Sequence, residues 1–196
     1  MYLPKGISVV IPNYNGRLLL PQILPPLYDA LQNAGLEYEV IISDDASTDA
    51  SVAYIKAAYP AIKLIENPVN RGFAPTANAG IFVATYSYTL LLNSDVKLTT
   101  HYFQFLISYF DKEDCFGVMG RIIGWDDDVI QDGGKYPYFH GVKIKTSGNY
   151  IPLQDDARPC FSMYLSGANA LMNTTILQSL GGFNELFAPY YVEDYE

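Results

Sequence analysis

The sequence predicts an α/β protein, a three-layer sandwich around a mixed, mainly parallel sheet. Two observations carry that expectation. Up to about residue 120, short apolar runs bounded by polar residues alternate with segments of helical period, the rhythm of βαβ units. From Arg121 to Pro159 the rhythm breaks into turn signals, among them Asp126-Asp127-Asp128, Gly133-Gly134 and Ser147-Gly148-Asn149, which predict loops and short antiparallel strands. A single domain over 1–196 is expected, long enough for a real core and divided functionally into halves 1–120 and 121–196.

The elements follow in order. Residues 7–11 form a strand that Pro12 should stop. Residues 18–34 are helical in pattern, but Pro21, Pro25 and Pro26 should leave the first half irregular or broken. A strand over 40–43 leads to a helix over 49–58, capped by Ser47 or Thr48. A strand at 63–66, a helix at 73–84 and a strand at 90–92 come next. A helix over 99–110 and a strand at 116–119 close the regular part. Beyond the loops, 161–165 reads as a strand and 174–180 as a helix stopped by Gly181-Gly182. No internal repeat or low-complexity linker interrupts the chain.

Composition excludes some functions. A net charge of −9 argues against a nucleic-acid binder, which needs a basic footprint. The same charge makes a phosphate ligand awkward unless a cation bridges the two. The 17 tyrosines offer stacking faces with hydroxyls, useful toward sugars and bases and equally useful as half-buried packing. Cys115 and Cys160 are too few and too far apart for a disulfide framework or a zinc site and read as reduced packing residues. The first five residues run directly into a strand, so no signal peptide is expected. No apolar run approaches the roughly 20 residues of a spanning helix. A cytoplasmic setting is expected, with peripheral contact at the inner face of a membrane left open.

Chemistry-bearing residues collect where strands end, the place where open parallel sheets bind ligands. Pro12-Asn13-Tyr14-Asn15 closes the first strand; Tyr14 could stack on a base, or the four could be a plain turn. Asp44-Asp45 ends the second strand. A carboxylate there could accept a base N–H or bond a ribose hydroxyl; helix capping would explain one or two of these polar residues, not both acids. Asn70-Arg71-Gly72 opens the third helix, where an arginine beside a helix start suits a diphosphate, unless Arg71 pairs with a surface acid. Asn93-Ser94-Asp95 ends the strand at 90–92. Alternation along a strand would place Asn93 and Asp95 on one side, and Mg²⁺ is often held by one or two carboxylates plus substrate phosphates. Glu193-Asp194 offers a general base or a solvated acidic tail. Asp126-Asp127-Asp128 reads as a solvated turn, and His101 and His140 as structural or surface residues.

Taken together these segments resemble the family-2 glycosyltransferases of the GT-A fold. The likeness rests on 9–15, 40–49, 70–74, 91–96 and the Gly181-Gly182-Phe183-Asn184-Glu185 run with Glu193-Asp194, and so covers nearly the whole chain. It implies a nucleotide-diphospho-sugar donor (UDP-, dTDP- or GDP-linked), a divalent cation (Mg²⁺ or Mn²⁺), a glycan or lipid-linked acceptor, and inversion at the anomeric carbon, in bacterial cell-surface glycan synthesis. It makes 1–120 the nucleotide-sugar-binding half and 121–196 the acceptor-side half. Pro12, Asn13, Tyr14, Asp44 or Asp45, Arg71, Gly72, Asn78 and Asn93 would then hold the nucleotide sugar. Asp95 would face the metal and Asp194 would act as base. Two departures stand out. Asn93 replaces the first acid of the family's Asp-x-Asp pattern, a form similar to the bacterial rhamnosyltransferase-like subgroup. The chain also stops two residues after Asp194, where family members normally continue, so it reads as truncated and its transfer activity as impaired.

Two other functions remain to be weighed. A sugar-phosphate nucleotidyltransferase would show a Gly-rich basic loop after the first strand, where this chain has Pro12-Asn13-Tyr14-Asn15-Gly16-Arg17. A non-catalytic nucleotide-sugar-binding module would keep the pocket without transfer.

Overall fold

The computed structural model describes residues 3–126, 129–146 and 161–187. Ten strands and five α-helices are found among them: β1 (Gly6–Asn13), α1 (Leu20–Ala34), β2 (Glu37–Asp44), α2 (Ser51–Ala58), β3 (Lys63–Glu66), α3 (Phe73–Ile81), β4 (Tyr88–Leu92), α4 (Tyr102–Leu106), β5 (Gly117–Met119), β6 (Ile122–Ile123), β7 (Ile130–Asp132), β8 (Pro137–His140), β9 (Lys143–Thr146), β10 (Asn169–Asn173) and α5 (Thr174–Ser179). A 3₁₀ turn, Ile107–Asp111, extends α4.

The main sheet has six strands in the order β3-β2-β1-β4-β10-β5. β3, β2, β1 and β4 run parallel, while β10 is antiparallel to both of its neighbours. Two separate hairpins, β6-β7 and β8-β9, make up the short antiparallel strands expected between 121 and 159.

Side-chain alternation divides the core cleanly. Ile7, Val9 and Ile11 of β1, Val40 and Ile42 of β2, Leu90 and Leu92 of β4 and Leu171 of β10 face α1 on one side. Val10, Ile41, Leu91, Ala170 and Met172 face α3 and α5 on the other. Strands covered on both faces read as continuous apolar runs, which is why they stood out in the sequence. The stripe on α1, formed by Leu20, Ile23, Leu24, Leu27, Ala30 and Leu31, has the three-and-four spacing of a helix packed on a sheet.

The structure corrects several expectations. β1 continues through Pro12 instead of stopping there. Asn13 turns its carbonyl toward β2, accepting from the Asp45 amide at 2.8 Å. Pro12 therefore turns its nitrogen toward β4, where pairing has already ended at Val10–Leu91, and no ladder bond is lost. α1 is continuous despite its prolines. Pro21 lies in the first turn, where no N–H is needed. Pro25 and Pro26 free the carbonyls of Pro21 and Gln22, which lie on the outer, solvated side, and six buried side chains offset the loss. Neither Ser47 nor Thr48 caps α2: the N-cap is Ala50, and the Asp49 carboxylate accepts from the Ser51 amide instead.

The stretch 161–165 is not a strand. The fifth position of the sheet is β10, whose Asn-Ala-Leu-Met-Asn run reads locally as a loop but seats Leu171 between β4 and β5. α5 follows at once, capped by the Asn173 side chain, which accepts from the Ile176 amide at 3.1 Å. Gly181 and Gly182, with φ of 90° and 68°, stop the helical stretch begun by α5 as expected, and a short 3₁₀ turn, Glu185–Phe187, follows.

α3 lies close on the sheet because of Gly80. A Cβ there would stand 2.4 Å from Val10 Cγ1 and 3.0 Å from Ser43 Oγ, both in the core. Alanine would gain up to about 1 kcal/mol of helix propensity, but overpacking a rigid β-branched neighbour costs about 1–3 kcal/mol. Gly80→Ala should therefore be net destabilising by about 1–2 kcal/mol in urea unfolding, with an unchanged m-value.

Candidate functional site

Three loops meet beyond the carboxyl ends of β1, β2 and β3, and two buried carboxylates organise them. Asp44, 2% exposed, accepts from Asn13 Nδ2 at 2.7 Å, from Ser47 Oγ at 2.7 Å and from the Ser47 amide at 2.9 Å. Ser47 Oγ in turn accepts from the Asn15 amide at 2.8 Å. Asn15 Oδ1 returns the contact by accepting from the Thr48 amide at 2.8 Å. Asn15 and Ala46 hold positive φ, 54° and 59°, conformations that non-glycine residues keep only where neighbours fix them. The loops after β1 and β2 are thus zipped side chain to backbone.

Asp45, 4% exposed, works on the third loop. Its Oδ1 accepts from Asn67 Nδ2 at 3.0 Å and from the Arg71 amide at 2.9 Å, and its Oδ2 accepts from the Gly72 amide at 2.9 Å. Gly72 has φ 87° and ψ −177°, a region essentially closed to side chains, and it is the residue from which α3 starts. One carboxylate thus fixes the turn that aims Arg71. Burial would raise the Asp45 pKa, but these donors together with Thr76 hold it below the ordinary aspartate value.

Arg71 does not point freely into solvent. Its Nη2 lies 2.8 Å from Glu185 Oε2. The other Glu185 oxygen accepts from Asn78 Nδ2 at 3.1 Å. Asn78, buried in α3, also donates to the Phe183 carbonyl at 2.8 Å and accepts from the Phe183 amide at 2.8 Å. Gly182 is required there, since a Cβ would come within 2.3 Å of Asn78 Oδ1. Asn78 therefore clamps the Gly182–Glu185 turn against α3 through its own amide. Glu185 was not singled out by composition or spacing; the signal was its place at the end of the Gly-Gly-Phe-Asn-Glu run.

Asn13, Asp44, Asp45, Arg71, Gly72 and Asn78 are thus joined by one continuous set of hydrogen bonds, with Tyr14 exposed beside them. Asn93 and Asp95 stand next to this set without a contact to it that the structure gives. The last β1–β4 pair is Val10–Leu91, so Pro12 and Asn93 each follow two residues later, at the same end of neighbouring strands. The expectation that Asn93 and Asp95 share a strand face does not hold. β4 ends at Leu92, and the chain turns at once, with the Val96 amide donating to the Asn93 carbonyl at 3.2 Å. The Asn93 amide donates to the Ala168 carbonyl, and Asp95 is exposed. Among the described residues no group of three or more acidic, histidine or cysteine side chains is placed to hold a metal ion by itself. The proposed base, Asp194, lies outside the described residues, as do Cys160, Asp127, Asp128 and Glu193.

The family is decided by comparison: the model described as Glycosyl transferase family 2 matches residues 8–181. The chain belongs to glycosyltransferase family 2. A chondroitin synthase of Pasteurella multocida (strain Pm70) is 27% identical over 147 residues, 72% of this chain and 15% of that protein. Staphylococcus aureus TarS 1–349 in complex with UDP superposes with a TM-score of 0.69 at 18% identity, over 97% of this chain and 53% of TarS 1–349. The mannosyltransferase PcManGT of Pyrobaculum calidifontis, in complex with GDP-Man and Mn²⁺, gives 0.67 at 17% identity, over 100% of this chain and 51% of that one. The fold is therefore GT-A, and the chain spans about half the length of these solved relatives. No described helix is long and apolar enough to cross a membrane.

Asp45 gives two measurable consequences. Asp45→Ala leaves the Arg71 and Gly72 amides without their acceptor and should cost about 3 kcal/mol of stability in denaturant unfolding. Asp45, Asp49 and Asp132 all have pKa values lowered from 3.8 in the folded chain. A depressed carboxyl pKa stabilises the fold above the unfolded value and loses that contribution as pH falls through the folded one. Stability should accordingly decline below about pH 4, and the decline should be shallower in Asp45→Asn.

Proposed function

We propose that this chain is the donor-binding domain of an inverting glycosyltransferase that moves a sugar from a nucleotide-diphospho-sugar to an acceptor hydroxyl in bacterial cell-surface glycan synthesis. The observation that carries the reading is the hydrogen-bonded set running from Asn13 and Asp44 through Asp45 to Arg71 at the carboxyl edge of a family-2 sheet. It prearranges an exposed aromatic ring, buried carboxylates and a guanidinium at the end of the sheet where α/β folds take ligands.

In this reading Tyr14 stacks on the nucleobase. Asp44 keeps unused acceptor capacity on Oδ1, which takes one protein donor, and Pro12, Asn13 and Asn93 shape the pocket with it. Arg71, aimed by Asp45 and Gly72, meets the diphosphate in exchange for Glu185, with Asn78 holding the Gly182–Glu185 turn against α3. The UDP complex of TarS and the GDP-Man complex of PcManGT support a nucleotide-sugar donor.

The Mn²⁺ in PcManGT supports a divalent cation, and the donor set here suits one only in part. Asp95 supplies a single exposed carboxylate and Asn93 a neutral oxygen, so Asp95 would hold Mg²⁺ or Mn²⁺ together with donor phosphate oxygens. When bound, the cation would neutralise charge on the departing diphosphate. Asp194 would take the proton of the acceptor hydroxyl as that oxygen bonds to the anomeric carbon from the face opposite the diphosphate, whose C–O bond breaks. A cytoplasmic setting, where nucleotide sugars are made, completes the reading.

Calorimetry with UDP, dTDP and GDP, each with and without Mn²⁺, tests the donor site. One nucleotide should bind, more tightly with the cation, and Arg71→Ala should weaken it at least about tenfold. Absence of binding to all three would remove the donor-site reading. In a longer chain that turns over, Asp194→Asn should lose kcat by about a thousandfold with little change in KM.

A further inference from the structure

The β8–β9 hairpin is amphipathic in a way that nothing in the donor site uses. Its register pairs Pro137 with Thr146, Tyr138 with Lys145, Phe139 with Ile144 and His140 with Lys143. Directly paired residues share a face and successive ones alternate. Phe139 and Ile144 therefore lie on one face with Pro137 and Thr146, while Tyr138, His140, Lys143 and Lys145 lie on the other. Phe139 is 79% exposed, Ile144 59%, and Val142 at the Gly141-Val142 tip 99%.

An isolated two-stranded hairpin is marginal in water, and this one is secured at its base. The Lys135 ammonium is buried against Asp132 at 2.9 Å. The Lys135 amide donates to Ser162 Oγ at 3.0 Å, and its carbonyl accepts from the Met163 amide at 2.8 Å. The anchored end thus belongs to the body of the domain, and the apolar tip projects from it.

Charge selects the partner. The chain carries a net −9, yet residues 133–146 hold Lys135, Lys143, Lys145 and His140 and not one Asp or Glu. Lys135 is spent on Asp132, leaving Lys143 and Lys145 on the exposed cationic face. We propose that this hairpin docks the protein on an anionic lipid surface. Phe139, Ile144 and Val142 enter the boundary between headgroups and acyl chains, and Lys143 and Lys145 meet lipid phosphates. A second copy of the chain fits less well. Three exposed apolar side chains on a narrow hairpin offer far less than the roughly 1,200 Å² of a stable interface.

Flotation of the chain with phosphatidylglycerol-rich vesicles and with pure phosphatidylcholine vesicles tests this without any donor. Binding to the anionic vesicles should be at least about tenfold stronger and should weaken with added salt. Phe139→Ser with Ile144→Ser, and separately Lys143→Glu with Lys145→Glu, should each reduce it about tenfold. Phe105→Ser, an exposed aromatic on α4, should leave it unchanged. Val142→Trp in a Trp125→Phe background should show a blue-shifted emission on adding the anionic vesicles. Equal flotation of the chain and both hairpin variants, no binding to anionic vesicles, or an unshifted tip tryptophan would overturn the proposal. So would a dimer in sedimentation that the same hairpin substitutions dissolve while vesicle binding stays absent.

Discussion

Two adjacent buried carboxylates at the end of β2 are the constraint on which the ligand edge of this protein depends. Among the described residues neither Asp44 nor Asp45 is paired with a cation. Each is surrounded instead by a fan of amide and hydroxyl donors, and around Asp45 these hold the pKa below the ordinary aspartate value. Because the donors come from the loops after β1, β2 and β3, satisfying the two charges forces those loops into one shape. The positive-φ residues Asn15, Ala46 and Gly72 are the local expense of that shape. The apolar sheet below supplies the rigidity against which it is held.

Much of this was legible in the residues. Continuous apolar runs gave β1, β2 and β4, because burial on both faces leaves no polar alternation to confuse the reading. Asp44-Asp45, Arg71-Gly72 and the Gly181-Gly182 stop stood out because each breaks a pattern for a chemical reason. What local pattern could not give was anything decided by a distant partner. β10 looks like a loop until β4 and β5 are placed on either side of it. Pro12 looks like a strand end until it is known which neighbour its nitrogen faces. The prolines of α1 look disruptive until six buried side chains are counted against two solvated carbonyls.

The same limit applies to the site. The resemblance put Arg71 and Asn78 in one nucleotide-sugar site, but gave no sign that Glu185, more than a hundred positions later, would bond both. Nor could alternation foresee that the chain turns at Asn93, sending Asp95 out to solvent rather than along the strand. The antiparallel entry of β10 also has a spatial effect. It brings Ser166-Gly167-Ala168 to the edge where the parallel strands finish, where the Ala168 carbonyl accepts from the Asn93 amide.

The Glu185 bridge has a thermodynamic corollary. One side chain binds the loop in front of α3 through Arg71 and the body of α3 through Asn78, and it sits on the turn that leads toward the carboxyl end of the chain. An anion that draws the guanidinium away breaks this one contact while Asn78 still holds the turn, and a contact that draws Glu185 away frees the guanidinium. Linkage makes the two effects equal in free energy whichever comes first. A modest exposed ion pair, worth little as a source of stability, thereby joins the loop in front of α3 to the turn after α5.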